Sequence, residues 1–264
     1  MNKELGQNWI LLRGLARESA HWGAFIPLLQ STFPKARITL LDLPGTGCFY
    51  RETSPRTIRA ITDSVRRHAF DQGFIDQPAT ILALSLGAMV AWEWMRSYPE
   101  DICGAILINT SFADLSPFYQ RLRWQSYRDF ISLAMTREPH GRESGILRLV
   151  SNRRNQNKQI ARSWEKIHSE RPISLNNSFR QIVAAASYRP GDIKPEQPVL
   201  LLNGLGDRLV APSCSEAIRR KWNLELQRHP WAGHDLTLDD GAWVVLQLKD
   251  WLTQNNTPHN KTVG

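Results

Sequence analysis

The segment Ile81–Met95, which reads ILALSLGAMVAWEWM, decides the fold. Its first part belongs to an apolar run, 80–84, that is typical of a buried parallel strand, and a helix-forming run follows almost without a gap. Ser85 stands between them, with Ala83 two residues before it and Gly87 two residues after it. Larger side chains at those two positions would collide with neighbouring backbone. The segment therefore predicts a strand, a sharp turn at a serine, and a helix whose first amides face any anion nearby.

The rest of the chain repeats this alternation of strand and helix. Short apolar runs predict five further strands at Asn8–Leu12, Arg37–Leu41, Gly104–Asn109, Pro198–Leu202 and Leu224–His229. Helical spacing of apolar residues predicts helices at about 18–32, 54–73, 213–221 and 241–252. This order is typical of an α/β fold with one mostly parallel sheet of about six strands and helices on both faces.

The middle of the chain interrupts that alternation. Residues 112–190 have no clear buried strand and contain helical patches, among them 118–135 and 159–168. We therefore expect a core formed by residues 1–111 and 191–254, with 112–190 inserted as a helical cap. The polar tail 255–264 is expected to be disordered.

The positive charge of the protein resides in this insertion. Residues 112–190 contain 14 basic and 6 acidic residues, a net charge of +8, and the whole chain also has a net charge of +8. A positive surface attracts acidic partners, so an anionic substrate or an acidic carrier protein is one interpretation. A solvated helical surface is the alternative. Nucleic acid is disfavoured, because no binding motif accompanies the charge.

Other features limit the cellular context. The three cysteines, Cys48, Cys103 and Cys214, are widely spaced without a metal-ligand pattern, and we interpret them as free thiols in a reducing compartment. The sequence has no signal-peptide pattern and no apolar stretch of the ~20 residues that span a bilayer. These features predict a cytoplasmic protein.

Three residues in chain order suggest nucleophilic catalysis. After Ser85, Asp207 lies on a glycine-rich turn that follows a buried run, and His234 lies in a small-residue loop after the last strand. A serine, an acid and a histidine at strand ends can form a catalytic triad. Asp114 is the alternative acid, and His229 is the alternative histidine.

Two motifs support a family resemblance. The A-x-S-x-G sequence at 83–87 and the D-x-P-G-x-G sequence at 42–47 occur in the order typical of the α/β-hydrolase family, and the chain resembles that family over nearly all of its length outside the insertion. Ala83 departs from the usual glycine. Arg13 departs from the histidine of the usual His-Gly-x-x loop.

The resemblance implies roles for the site residues. Ser85 would be the nucleophile, His234 the general base and Asp207 the residue that orients it, while the backbone amides of Leu15 and Leu86 would form the oxyanion hole. The insertion would be the lid over the site. No metal or organic cofactor is expected. A turn glycine at Gly14 beside a solvated Arg13 remains the alternative for the oxyanion loop.

The substrate stays open at this point. The first hypothesis is a serine carboxylesterase that cleaves a small acyl ester through an acyl-enzyme. The compact core and arginine-rich cap also resemble the pimeloyl-carrier-protein methyl ester esterases of biotin synthesis, whose cap arginines contact an acidic carrier. That resemblance suggests five residues for binding: Arg13, Arg121, Arg123, Arg153 and Arg154. A pyruvate-eliminating synthase of the menaquinone pathway and a non-catalytic ligand receptor are further alternatives on the same fold.

Overall fold

The computed structural model describes residues 5–136, 138–153 and 157–256. It contains one sheet of six parallel strands in the order β2-β1-β3-β4-β5-β6. The strands are β1 (Asn8–Leu12), β2 (Arg37–Leu41), β3 (Ala79–Leu84), β4 (Ile102–Ile108), β5 (Val199–Gly204) and β6 (Glu225–His229). The predicted α/β fold with a six-stranded parallel sheet is confirmed.

Ten α-helices surround or cover the sheet within the described residues. They are α1 (Phe25–Thr32), α2 (Ile58–Asp71), α3 (Leu86–Ser97), α4 (Phe118–Arg121), α5 (Tyr127–Met135), α6 (Pro139–Val150), α7 (Asn157–Glu170), α8 (Leu175–Ser187), α9 (Pro212–Trp222) and α10 (Leu236–Asn256). None of the helices in this part of the chain is long and apolar enough to cross a membrane.

The sheet has an apolar layer on each side, because successive strand residues point to opposite faces. In β3, Ile81 and Ala83 belong to a buried cluster with side chains of α2, α3 and α9. Leu82 and Leu84 belong to a second cluster with side chains of α1 and α10. This double coverage explains why the central strands are continuous apolar runs rather than alternating ones.

Helices α4 to α8 lie between β4 and β5 in the chain, in the segment predicted to be helical. The first predicted patch, 118–135, is interrupted at Leu122, whose backbone is extended with φ −132° and ψ 104°. There the amide of Arg123 donates to the carbonyl of Leu209, which draws the chain toward the loop after β5. Helices α6 and α8 lie outside the two patches that the sequence indicated.

Two helices of the core also differ from their predicted extents. The helix expected at 18–32 is a short 3-10 turn, Ser19–Trp22, and then α1, because Gly23 adopts φ 48° and ψ −128° between them. The last helix begins at Leu236 rather than at 241 and bends at Asp240, where φ is −149°. It ends at Asn256, and the tail expected to be disordered lies outside the described residues from 257 onward.

Candidate active site

The turn between β3 and α3 holds Ser85 in an unusual backbone conformation, with φ 57° and ψ −114°. A non-glycine residue adopts a positive φ at a cost of roughly 1–3 kcal/mol, so the surrounding structure must enforce it. The Ser85 amide donates to the Ile108 carbonyl at 2.8 Å, and the Thr110 hydroxyl donates to the Ser85 carbonyl at 2.9 Å. These bonds to the end of β4 fix the serine at the sheet edge.

Gly87 is needed for the close approach of this turn to the loop after β1. A Cβ atom at Gly87 would lie 2.5 Å from the carbonyl oxygen of Arg13, and a Cβ at Gly14 would lie 3.1 Å from the Cβ of Ser85. The two loops are therefore in contact through backbone. This contact brings Leu15 and Leu86 to the cavity that Ser85 lines. Within the described residues, neither amide donates a hydrogen bond to the protein, so both are available to an anion.

Asp207 and His234 form a buried pair. The Oδ2 atom of Asp207 lies 2.7 Å from Nδ1 of His234, and the aspartate is completely buried. Its Oδ1 atom accepts from the amides of Leu209 at 2.7 Å and Val210 at 3.0 Å. A carboxylate accepts hydrogen bonds, so Nδ1 of His234 is the donor in this contact.

Asn109 positions the histidine loop, and sequence reasoning missed it. It follows β4 with φ 48° and is completely buried. Its side-chain amide donates to the carbonyls of Gly233 at 3.1 Å and His234 at 2.8 Å, while Oδ1 accepts from the Gly204 amide at 2.9 Å. A polar residue directly after a buried strand was the available signal. Asn109 thereby joins the ends of β4 and β5 to the loop that carries His234.

The two alternative residues have other partners. The Oδ2 atom of Asp114 accepts from the Gly191 amide at 3.3 Å. His229 is buried, with Nδ1 accepting from the Ala232 amide at 3.0 Å and Nε2 at 3.2 Å from Asp240. Within the described residues, the cavity of Ser85 includes His234 but neither of these two side chains.

Arg13 is buried, so its interpretation as a solvated charge is wrong. Its guanidinium donates to Asp235 at 2.5 Å and lies over the ring of Trp22, with 4.8 Å from Cζ to the ring centroid. Burial favours a raised pKa for Asp235, but Arg13 and a hydrogen bond from Thr237 outweigh it and lower that pKa. The buried ion pair ties the residue beside the oxyanion loop to the residue beside His234.

A cavity of about 530 Å³ lies above Ser85, between the core and helices α4 to α8. Its walls are mostly apolar, and several wall residues are also exposed at the surface, which gives the cavity an open, apolar mouth. These exposed wall residues are Phe118, Leu175, Phe179 and Ile182. A cavity of this size accommodates a small or medium organic ligand.

The five arginines proposed for binding occupy different environments. Arg13 and Arg121 line the cavity. Arg123 instead donates to the backbone carbonyl of Asp207 at 2.7 Å, which supports the turn that carries the acid. Arg153 is exposed, and its amide donates to Ser151 and Asp239. Arg154 lies outside the described residues.

The opposite side of the cap is attached to the core by ion pairs. Arg17 contacts Glu143 of α6 at 2.7 Å, and Arg171, just after α7, contacts Glu18 at 2.7 Å. The Arg17 guanidinium also donates to Nε2 of His21 at 2.9 Å. Burial of His21, with Arg17 nearby, holds the pKa of that histidine well below its usual range. These residues form what we call the latch.

The segment that follows α6 is attached to the core by Asp239, which sequence reasoning also missed. Its carboxylate accepts from the Ser151 hydroxyl at 2.5 Å, the Asn152 amide at 3.0 Å and the Gly233 amide at 2.6 Å. It therefore connects the end of α6 to the histidine loop. Within the described residues, no group of three His, Cys, Asp or Glu side chains is arranged to hold a metal ion.

Comparison with known proteins agrees with this architecture. The model of the alpha/beta hydrolase family matches residues 9–247, so the chain belongs to that family. A search of the curated proteins finds no match to this sequence.

Solved structures share the fold at low sequence identity. A thermophilic esterase from Thermogutta terrifontis has a TM-score of 0.71 and 20% identity over 97% of this chain and 92% of that one. An esterase from Rhodococcus sp. ECU1013 has a TM-score of 0.72 and 17% identity over 94% and 90%. A hydrolase from Pseudomonas aeruginosa PA01 has a TM-score of 0.70 and 18% identity over 97% and 91%. At such identities the likeness shows the fold alone.

Proposed function

We propose that this protein is a serine hydrolase that cleaves carboxylic esters through an acyl-enzyme. The observation that carries the proposal is the buried Asp207–His234 pair, 2.7 Å apart, whose histidine lines the same cavity as Ser85. Membership of the alpha/beta hydrolase family and the esterases among the structures of the same fold support a hydrolytic reaction.

In the proposed mechanism, the Oγ atom of Ser85 attacks the ester carbonyl while Nε2 of His234 takes its proton. The negative charge that develops on the carbonyl oxygen is stabilised by the amides of Leu15 and Leu86, each worth about 3–4 kcal/mol of the barrier. His234 then returns the proton to the leaving alcohol, and the acyl group stays on Ser85. Water, activated by His234, releases the acid in the second half of the reaction.

Asp207 acts by orienting the base. Its acceptor-only carboxylate keeps the proton of His234 on Nδ1 and stabilises the imidazolium that forms when the serine is deprotonated. The two amides that bond to Oδ1 hold this carboxylate in place.

The first test is labelling with a fluorophosphonate, which reacts with activated serines, followed by peptide mass spectrometry. We expect an adduct on Ser85 that is lost in Ser85→Ala and strongly reduced in His234→Ala. Ser178→Ala is the matched control, because Ser178 lines the same cavity and its hydroxyl bonds only to the carbonyl of Ser174 in the described structure. That variant should label like the wild type.

Turnover of a neutral ester provides the second measurement. Ser85→Ala should lower kcat by about 10⁴- to 10⁶-fold without changing the melting temperature. Retained turnover, or an adduct on another serine, would contradict the proposal. A protein that neither labels nor hydrolyses any ester would favour an eliminating synthase or a receptor on the same fold.

A carrier-bound acyl ester is a second candidate substrate for the same chemistry. Its support is the exposed basic surface of the cap beside an apolar cavity mouth. The exposed basic residues of the cap within the described part of the chain are Arg128, Arg148, Arg153, Lys158, Arg162, Lys166 and Arg189. Binding of an acidic carrier here should weaken steeply with salt, because exposed charges are screened. A salt-dependent kcat/KM with a carrier-linked ester, and a salt-independent one with a small neutral ester, would support this candidate.

A further inference from the structure

The cavity contains more positive than negative charge. Four arginines line it, and two of them are neutralised: Arg13 by Asp235, and Arg17 by Glu143. Within the described residues, no carboxylate lies within ion-pairing distance of the other two, Arg121 and Arg142. The walls around them are mostly apolar.

Arg121 is held rigidly without a neutralising partner. Its guanidinium donates to the carbonyls of Ala185 and Ala186 and, through Nε, to the hydroxyl of Ser111 at 3.3 Å. Ser111 adjoins Thr110, whose hydroxyl bonds to the carbonyl of Ser85. Arg121 is therefore fixed to the same framework as the proposed nucleophile.

Arg121 is half-buried, and the groups that accept its hydrogen bonds are uncharged. Carbonyl and hydroxyl oxygens accept hydrogen bonds from its N–H groups, and its position near the C-terminal end of α8 is favourable for a cation. Burial lowers the pKa of Arg121, yet a guanidinium stays charged at neutral pH. Asp114 attracts the guanidinium from beyond ion-pairing distance. A charge in apolar surroundings is costly unless an opposite charge accompanies it, and a bound anion would supply a closer one.

We propose that the cavity binds esters that carry an anionic group, a carboxylate or a phosphate, and that Arg121 binds this group. The guanidinium fork suits two parallel hydrogen bonds to either anion. Arg142, on α6, adds a second positive charge to the cavity. This inference rests on the proposed ester hydrolysis and names the substrate class for the same site.

The experiment compares matched methyl esters by methanol release. One is the monomethyl ester of a dicarboxylic acid, one carries a phosphate at the same end, and one is the neutral methyl ester of equal chain length. The wild type should prefer the anionic esters, and the carboxylate and phosphate arms identify which anion is favoured. Arg121→Gln should lower kcat/KM for the preferred ester by about 10- to 100-fold, mainly through KM, and leave the neutral ester nearly unchanged. Arg121→Lys should retain part of the preference.

Arg148→Gln is the control for charge at a distance. Arg148 is exposed on α6 and does not line the cavity, so its loss removes the same charge from the cap without touching the site. An equal effect of Arg148→Gln would overturn the role of Arg121. A wild type that hydrolyses the neutral ester but shows no preference would refute this inference and leave the esterase proposal intact. Failure to hydrolyse any ester would instead contradict the esterase proposal.

An inhibition experiment with free acids needs only the wild-type protein. It therefore tests the proposed anion binding even if substitution of Arg121 unfolds the cap. A free dicarboxylate should inhibit hydrolysis of the neutral ester more strongly than a monocarboxylate of the same length. Equal inhibition by the two acids would overturn the proposal.

Discussion

The floor and the roof of the cavity are held in place by different kinds of contact. The floor belongs to the core, and the polar groups proposed for chemistry there are fixed close to strand ends. Ser85 is bonded to the end of β4, the His234 carbonyl to Asn109 directly after β4, and Asp207 to amides of its own turn after β5. The roof belongs to the cap, which is attached on one side by the ion pairs of the latch and exposes apolar side chains on the other.

Under the proposed mechanism, this difference separates two properties of the protein. The proposed catalytic geometry depends on the floor, where the candidate residues are held by hydrogen bonds to backbone groups. The proposed choice of substrate depends on the roof, which supplies most of the apolar wall together with Arg121 and Arg142. Changes in the floor should therefore alter kcat, and changes in the roof should alter KM and local stability.

The largest expected effect tests the floor. Asp207→Asn should reduce kcat by about 10⁴-fold, because an amide at this position favours the wrong tautomer of His234. The fold and the cap should be unaffected, which thermal unfolding and circular dichroism can check. Asp114→Asn is the matched control, since the Asp114 carboxylate contacts the Gly191 amide instead. A greater loss in Asp114→Asn would show that the acid has been assigned to the wrong residue.

A smaller effect tests the latch. Glu143→Ala would leave Arg17 buried without its carboxylate, which we expect to cost about 3–5 kcal/mol of local stability. Hydrogen exchange should show faster exchange in α6 and α7 and unchanged protection in β3 and β4. KM should rise more than kcat falls.

The control for the latch is Glu165→Ala, which breaks the exposed pair between Glu165 and His140. A pair at the surface contributes little, about 0–1 kcal/mol, so exchange in α6 and α7 should hardly change. Equal effects of Glu143→Ala and Glu165→Ala would mean that the latch does not hold the cap.

The smallest expected effect is a pH dependence of the latch. The pKa of His21 is lowered in the folded protein, so the unfolded chain binds the proton more readily below about pH 6.5. Stability should therefore fall as the pH decreases from about 7.5 to about 5.5, by at most about 1.4 kcal/mol per pH unit for this one site. Urea unfolding at both pH values measures the loss. His21→Gln should show a shallower dependence, and an unchanged slope would exclude His21 as the cause.

The sequence predicted most of the floor and little of the roof. Strand runs and the order of Ser85, Asp207 and His234 are local signals, and they gave the sheet and the three candidates. The roles of Asn109 and Arg13 depend on partners more than 120 residues away, Gly233 in one case and Asp235 in the other. No spacing rule in one sequence reveals such partners. The sequence predicted that 112–190 is helical, but it named only the patches 118–135 and 159–168 and gave no bounds for α6 and α8.

The Arg13–Asp235 pair has a consequence for how the molecule is made. Its members are 222 positions apart, so the ribosome synthesises Arg13 long before the carboxylate that neutralises it. Strands β1 to β4 and the turn at Ser85 can assemble while translation continues, since domains tend to fold from the N-terminus. Asp207, His234 and Asp235 are synthesised more than 120 residues after Ser85. Under the proposed mechanism, the nascent chain thus carries its serine unreactive until these later residues have been synthesised.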